Sequence, residues 1–188
     1  MTGTAEADLR DIVRGLLDRE EIRECLNRYA RGLDRKDFEM IRSVFHPDAT
    51  DHHGGTIAYS PAGDALIEDW IVRDAKRVFS HHLLINSSID LDGDVAHVET
   101  YFQLLVGLDP DAAADESTLG LSGGRYIDRF ERRDGDWRIA TRVLVSEFSA
   151  AMDPIDYPNH RRWASRSTAD PSYARPLLGP PTENGEFV

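Results

Sequence analysis

The chain has a single cysteine, Cys25, in 188 residues. That excludes an internal disulfide framework and fits a reducing compartment. Cys25 falls at an apolar helical position and reads as buried filler. Long hydrophobic runs are missing as well. No stretch approaches the roughly eighteen apolar residues of a spanning helix, and residues 1–11 are polar, without a signal-peptide core. A soluble, cytoplasmic protein is the expectation. Basic residues are outnumbered: 22 Lys and Arg stand against 34 Asp and Glu, for a net charge of -12. Such a surface repels phosphate backbones, so neither a nucleic-acid nor a membrane partner is expected. Walker loop, dinucleotide fingerprint and nucleophile elbow are all absent, and no cofactor is expected.

What remains is ordinary globular composition, 40% hydrophobic and 30% charged, in a length that suits one domain with an appendage. Residues 8–33 are helical in period. Leu9, Ile12, Val13, Leu16 and Leu17 form one apolar stripe, and Ile22, Leu26, Tyr29, Ala30 and Leu33 continue after a phase change. Asp18 with Glu21 resembles a capping box that starts a second helix, and Gly32 can break that helix near its end. A short helix capped by Asp37 follows, with Phe38, Ile41, Val44 and Phe45 facing inward and Pro47 stopping it. A strand and loop are expected over 50–59, and a further helix over 63–79 carrying Leu66, Ile67, Trp70, Ile71 and Val78.

From residue 80 the period becomes two. Strands are expected over 80–91, 95–108, 124–133 and 137–148, with an acidic loop at 109–122. The turns Asp92-Gly93-Asp94 and Asp134-Gly135-Asp136 argue for antiparallel hairpins. Helices followed by a meander make an α+β fold, the helices packed on one face of the sheet. If the sheet curls, a cavity is left between the layers. Residues 1–150 are expected to form the domain. Residues 151–188 form an irregular tail whose Tyr157, Trp163 and Tyr173 pack on the domain or on a neighbouring subunit.

Several residues carry possible chemistry. Tyr29 and Asp34 lie about 140° apart on a continuous helix, so Asp34 is either a solvated C-terminal residue or a group turned inward. On a strand, His82, Leu84 and Asn86 share one face, and a His and an Asn flanking an apolar residue suit a pocket wall or a solvent-facing strand. Histidine is the proton shuttle of neutral pH, and a neighbouring carboxylate orients its ring. Arg142 alternates on the last strand and either clamps an oxyanion or points outward. Tyr59, Tyr101 and Tyr126 either offer phenol donors or pack half-buried. His46, Asp48, Asp51, His52 and His53 invite a metal reading, but His46-Pro47-Asp48 is a helix stop and adjacent His52 and His53 point opposite ways on a strand. No metal is expected.

Taken in order, these pieces resemble the SnoaL-like branch of the nuclear-transport-factor-2-like superfamily, over residues 18–148. The matching runs are Ile22 through Asp34 with Asp37, Phe45-His46-Pro47-Asp48-Ala49, Ser80-His81-His82 with Asn86, Asp92-Gly93-Asp94 with Ala96, Gly124-Arg125-Tyr126 with Asp128, and Gly135-Asp136-Trp137-Arg138-Ile139 with Arg142. The resemblance implies a cone-shaped, curled antiparallel (mixed) sheet packed with N-terminal helices, a cystatin-like α+β barrel. Within that superfamily it is similar to the scytalone dehydratase and bile-acid 7α-dehydratase group, which eliminates without cofactors through an Asp–His pair. The family aspartate then falls on Asp34, its phenol on Tyr29 and its last-strand arginine on Arg142. Its histidine falls on His82, four residues before Asn86. Tyr59, Asn86, Tyr101, Tyr126 and Trp70 are the candidate substrate contacts. The implied function is a lyase acting on a hydrophobic, polyketide- or steroid-like molecule. An isomerase or cyclase, or a non-catalytic binding protein like a dioxygenase β subunit, is the alternative. A homotrimer or homodimer is implied.

Overall fold

The computed structural model describes residues 2–53, 70–71, 74–75, 77–108, 119–153 and 165–174. Two helices, α1 (Thr2–Arg35) and α2 (Phe38–Ser43), precede five strands: β1 (Phe45–His52), β2 (Arg77–Asp92), β3 (Val95–Leu108), β4 (Leu119–Arg133) and β5 (Asp136–Met152). The strands form one mixed, curled sheet in the order β1-β5-β4-β3-β2, with β1 parallel to β5 and every other pair antiparallel. This is the expected α+β architecture.

The two glycine turns close the hairpins. Asp134 and Gly135 both take positive φ, 54° and 93°, as a two-residue I′ turn requires, and Gly93 has φ 62°. The helices cover the concave face of the sheet. Ile22, Leu26 and Tyr29 of α1 and Ile41 of α2 are buried against Phe102, Phe130 and Ile139. Burying such a side chain contributes about 1.5–3 kcal/mol.

The helical segment differs from the expectation. Residues 2–35 form one continuous helix, and Asp18 is not a cap. Its carboxylate instead receives Trp137 Nε1 at 2.9 Å and Arg132 Nη1 at 2.7 Å, tying mid-helix to the sheet. The stripe of Leu9, Ile12, Val13, Leu16 and Leu17 is exposed, Leu16 by 62%. Periodicity reports an apolar face but not what covers it.

Gly32 does not break α1. A Cβ there would lie 2.7 Å from Ile41 Cγ1, so glycine permits the close approach of α2. The helix ends three residues later in a Schellman turn. Lys36 takes φ 56°, Asp37 N–H donates to the Gly32 carbonyl at 2.8 Å, and Asp37 then caps α2 through the Met40 N–H.

Other boundaries also move. Val44 and Phe45 leave the short helix, and β1 begins at Phe45 and contains Pro47. Proline is tolerated there because β1 is an edge strand with a register shift between Phe45 and Thr50. Val78 and Phe79 belong to β2 rather than a helix, and β4 starts at Leu119, inside the expected loop. Tyr59, Tyr157, Trp163 and most of the expected 63–79 helix lie outside the described residues.

Candidate active site

Asp34 sits in the last turn of α1, one residue from its end, where the Schellman turn brings the helix against β2. Its carboxylate gathers three groups from that strand. Oδ1 accepts from Ser80 Oγ at 2.8 Å and lies 2.7 Å from His82 Nδ1; Oδ2 accepts the His82 N–H at 3.0 Å. Burial pushes the Asp34 carboxyl up, but the hydrogen bonds from His82 and Ser80 outweigh it and hold the group below its ordinary range. The ionised acid fixes a proton on His82 Nδ1 and leaves Nε2 as the nitrogen available for chemistry.

Behind them lies a cavity of about 180 Å³ between helices and sheet. Its walls include Tyr29, Trp70, Phe102, Tyr126, Leu104 and Leu144, with His82 and Ser80 on one side. The rings are set edge-on. Tyr29 lies with its centroid 6.5 Å from His82, 6.4 Å from Trp70 and 5.8 Å from Tyr126, and Phe102 stacks on Tyr126 at 4.5 Å. Burial raises the Tyr29 phenol to about 12, against the pull of the Arg142 charge, so it remains a neutral donor.

Four of the sequence-predicted site residues therefore line one cavity, Tyr29, His82, Tyr126 and Trp70, and a fifth, Asp34, holds His82 there. Three do not. Arg142 is buried completely and its guanidinium is answered by Asp128, through Nε to Oδ1 and Nη2 to Oδ2, both at 2.7 Å. It lies between the Tyr29 and Tyr126 rings, 4.2 and 4.1 Å from their centroids, and stiffens the floor instead of lining the cavity as a clamp. Asn86 is exposed, because the register shift between Leu84 and Ser87 breaks the alternation that would turn it inward. Tyr101 points out of the other face, 42% exposed, with Arg125 over its ring. Tyr59 lies outside the described residues.

The residues weighed as metal ligands scatter. His46 Nε2 donates to the Glu131 carbonyl at 2.9 Å, Asp48 pairs with Arg133, and His52 is exposed. Among the described residues no three such side chains converge.

Sequence reasoning passed over Ser80, which was readable as the residue two before His82 on the same strand face. It also missed Arg166, whose signal lies only in three dimensions. From the tail, Arg166 donates to the Leu33 carbonyl at 2.9 Å and the Asp34 carbonyl at 3.1 Å, and its Nη1 lies 2.6 Å from Asp74. A cation thus satisfies the open carbonyls at the end of α1 that carries Asp34.

The model of the SnoaL-like domain family matches residues 14–143. The chain belongs to this family. SnoaL-like relatives include uncharacterized proteins of Mycobacterium tuberculosis and Mycobacterium bovis, each 32% identical over 146 residues, 74% of this chain and 92% of theirs. Solved structures share the SnoaL-like fold. A hexachlorocyclohexane dehydrochlorinase from Novosphingobium barchaimii has a TM-score of 0.66 at 20% identity, covering 78% of this chain and 97% of its own. A protein from Kribbella flavida has the same score and identity, covering 72% of this chain and 95% of its own.

Proposed function

We propose that this SnoaL-like protein is a cofactor-independent lyase that eliminates water or a similar group from a hydrophobic small molecule. The observation that carries the reading is the 2.7 Å pairing of Asp34 with His82 at the wall of an aromatic cavity. His82 Nε2 removes a proton next to a carbonyl. Asp34 holds the ring and stabilises the imidazolium, and the neutral Tyr29 phenol donates to the oxygen where charge develops. Phe102, Leu104, Tyr126 and Leu144 exclude water from the reacting centre. One protein with the same fold, the dehydrochlorinase, is itself named for an elimination, which supports the class.

The test is turnover of a bicyclic β-hydroxy ketone by the purified chain, followed by mass. Loss of water is expected, with rates falling about 10²–10⁴-fold in His82→Ala and Asp34→Asn. Full activity in both variants overturns the reading. A product of unchanged mass assigns the same dyad to isomerisation or cyclisation.

A further inference from the structure

His53 presents a second imidazole to the same cavity, and it too is held by a carboxylate. Its Nδ1 lies 3.0 Å from Oδ1 of Asp51, a fully buried acid at the end of β1. His53 is the first residue after β1, two positions on from Asp51. The His53 ring sits 6.4 Å from Trp70 and 6.1 Å from Tyr126, the same rings that flank Tyr29. Its Nδ1–carboxylate pairing repeats that of His82 on Asp34, from just past the end of a different strand.

We propose that His53, positioned by Asp51, is the general acid of this site, opposite the base His82. The inference rests on the elimination reading and assigns its second proton. His82 Nε2 takes the proton from carbon, the carbon–carbon double bond forms, and the carbon–oxygen bond breaks. His53 Nε2–H delivers its proton to the departing oxygen, which leaves as water. Both rings then exchange one proton with solvent, and nothing is oxidised or reduced.

Two further observations favour an acid on this wall. Asp51 stands in register with Arg142 across β1 and β5, while Arg142 is already bound at two points by Asp128. Among the described residues the carboxylate of Asp51 pairs instead with His53. In addition, Asp51 Oδ2, the Tyr29 hydroxyl and Arg142 Nη1 are buried without hydrogen-bond partners among the described residues. Buried polar atoms are rarely left so. Of the three, Tyr29 is on the cavity wall, and its hydroxyl fits a site completed by a bound oxygen-bearing ligand.

The deciding experiment compares a β-hydroxy tetralone with its β-chloro counterpart, since chloride departs without a proton. His53→Gln is expected to raise the chloro-to-hydroxy rate ratio by about 10²–10⁴, and Asp51→Asn to raise it less. His82→Gln slows both probes and leaves the ratio unchanged. If His53→Gln leaves the ratio at the wild-type value while His82→Gln slows both, the acid assignment is overturned and the lyase stands. If His82→Gln is as fast as wild type, the lyase reading itself fails. A measurement on the unmutated chain guards against misfolding. Titrating histidine-labelled protein with naphthol, the aromatised product, is expected to move the ring resonances of both His82 and His53. Movement of His82 alone overturns the acid assignment, and movement of neither overturns the shared cavity.

Discussion

One carboxylate, that of Asp34, holds both the ring and the main chain of His82: Nδ1 at 2.7 Å from Oδ1 and the N–H at 3.0 Å from Oδ2. The imidazole is therefore fixed in place and tautomer by a single residue from another element. Asp34→Asn retains an oxygen for the N–H but loses the charge that, in the proposed elimination, stabilises the imidazolium. The expected result is a kcat drop of about 10²–10⁴ with KM little changed. Steady-state kinetics of the variant against wild type checks it.

The same contact makes stability depend on pH. The folded Asp34 carboxyl lies below its unfolded value of 3.8. The unfolded chain thus takes up its proton first as pH falls. The contribution is complete above the unfolded value and is lost as pH drops through the folded one. Urea midpoints measured from pH 6 down to about 2 are expected to fall less steeply in Asp34→Asn than in wild type.

The Arg142–Asp128 pair predicts an asymmetry. Both side chains are 0% exposed, so removing one leaves the other charged in a dry interior. Arg142→Met alone is expected to cost about 3–5 kcal/mol. The double variant Arg142→Met with Asp128→Leu is expected to recover much of that loss, because no uncompensated charge remains. Urea denaturation of the single and double variants gives the comparison.

The sheet was legible because two-residue alternation and paired glycine turns are local signals, and β2 to β5 follow them. Tyr29, Asp34 and His82 were legible as residues, and the family resemblance, more than their local spacing, implied that they meet. The reason they meet was not legible. It depends on a Schellman turn at Lys36, which a non-glycine residue at positive φ conceals, and on the absence of a side chain at Gly32. Asn86 was misplaced by a register shift that strict alternation does not register. Arg142 was misplaced because its orientation depends on Asp128 across the β4–β5 pairing. Asp51 and His53 were weighed together with His46, Asp48 and His52 as metal candidates. That they pair with each other depends on the chain path just past the end of β1, which the sequence pattern does not show.

The clasp of Arg166 on α1 predicts that the tail stabilises the end of the helix that carries Asp34. Arg166 reaches the carbonyls of Leu33 and Asp34, while Asp170 meets Arg35 at 3.4 Å and Tyr173 lies under Arg31. Arg166→Ala is expected to cost about 1.5–3 kcal/mol, the range for hydrogen bonds to a charged group. Amide exchange should rise over residues 33–37 and 165–174 and stay unchanged in β3 and β4. Arg166→Lys restores the charge but not the fork that spans two carbonyls, so its rescue is expected to be partial.

Cys25 gives a probe of opening that is independent of activity. Its thiol is buried against the Val44 carbonyl at 3.5 Å, and burial pushes it up to about 12. The thiolate is the reactive form, so the folded protein presents neither access nor nucleophile at neutral pH. Labelling by a disulfide reagent is expected to be very slow in buffer and complete in denaturant. Because Cys25 lies one turn before Tyr29 on α1, its labelling rate follows the opening of the helix that carries the site. Arg166→Ala should leave that rate near wild type if the clasp holds only the last turn, whereas Arg142→Met should raise it by loosening the floor beneath Tyr29. Equal labelling in the two variants would show that the helix end and the floor open as one unit.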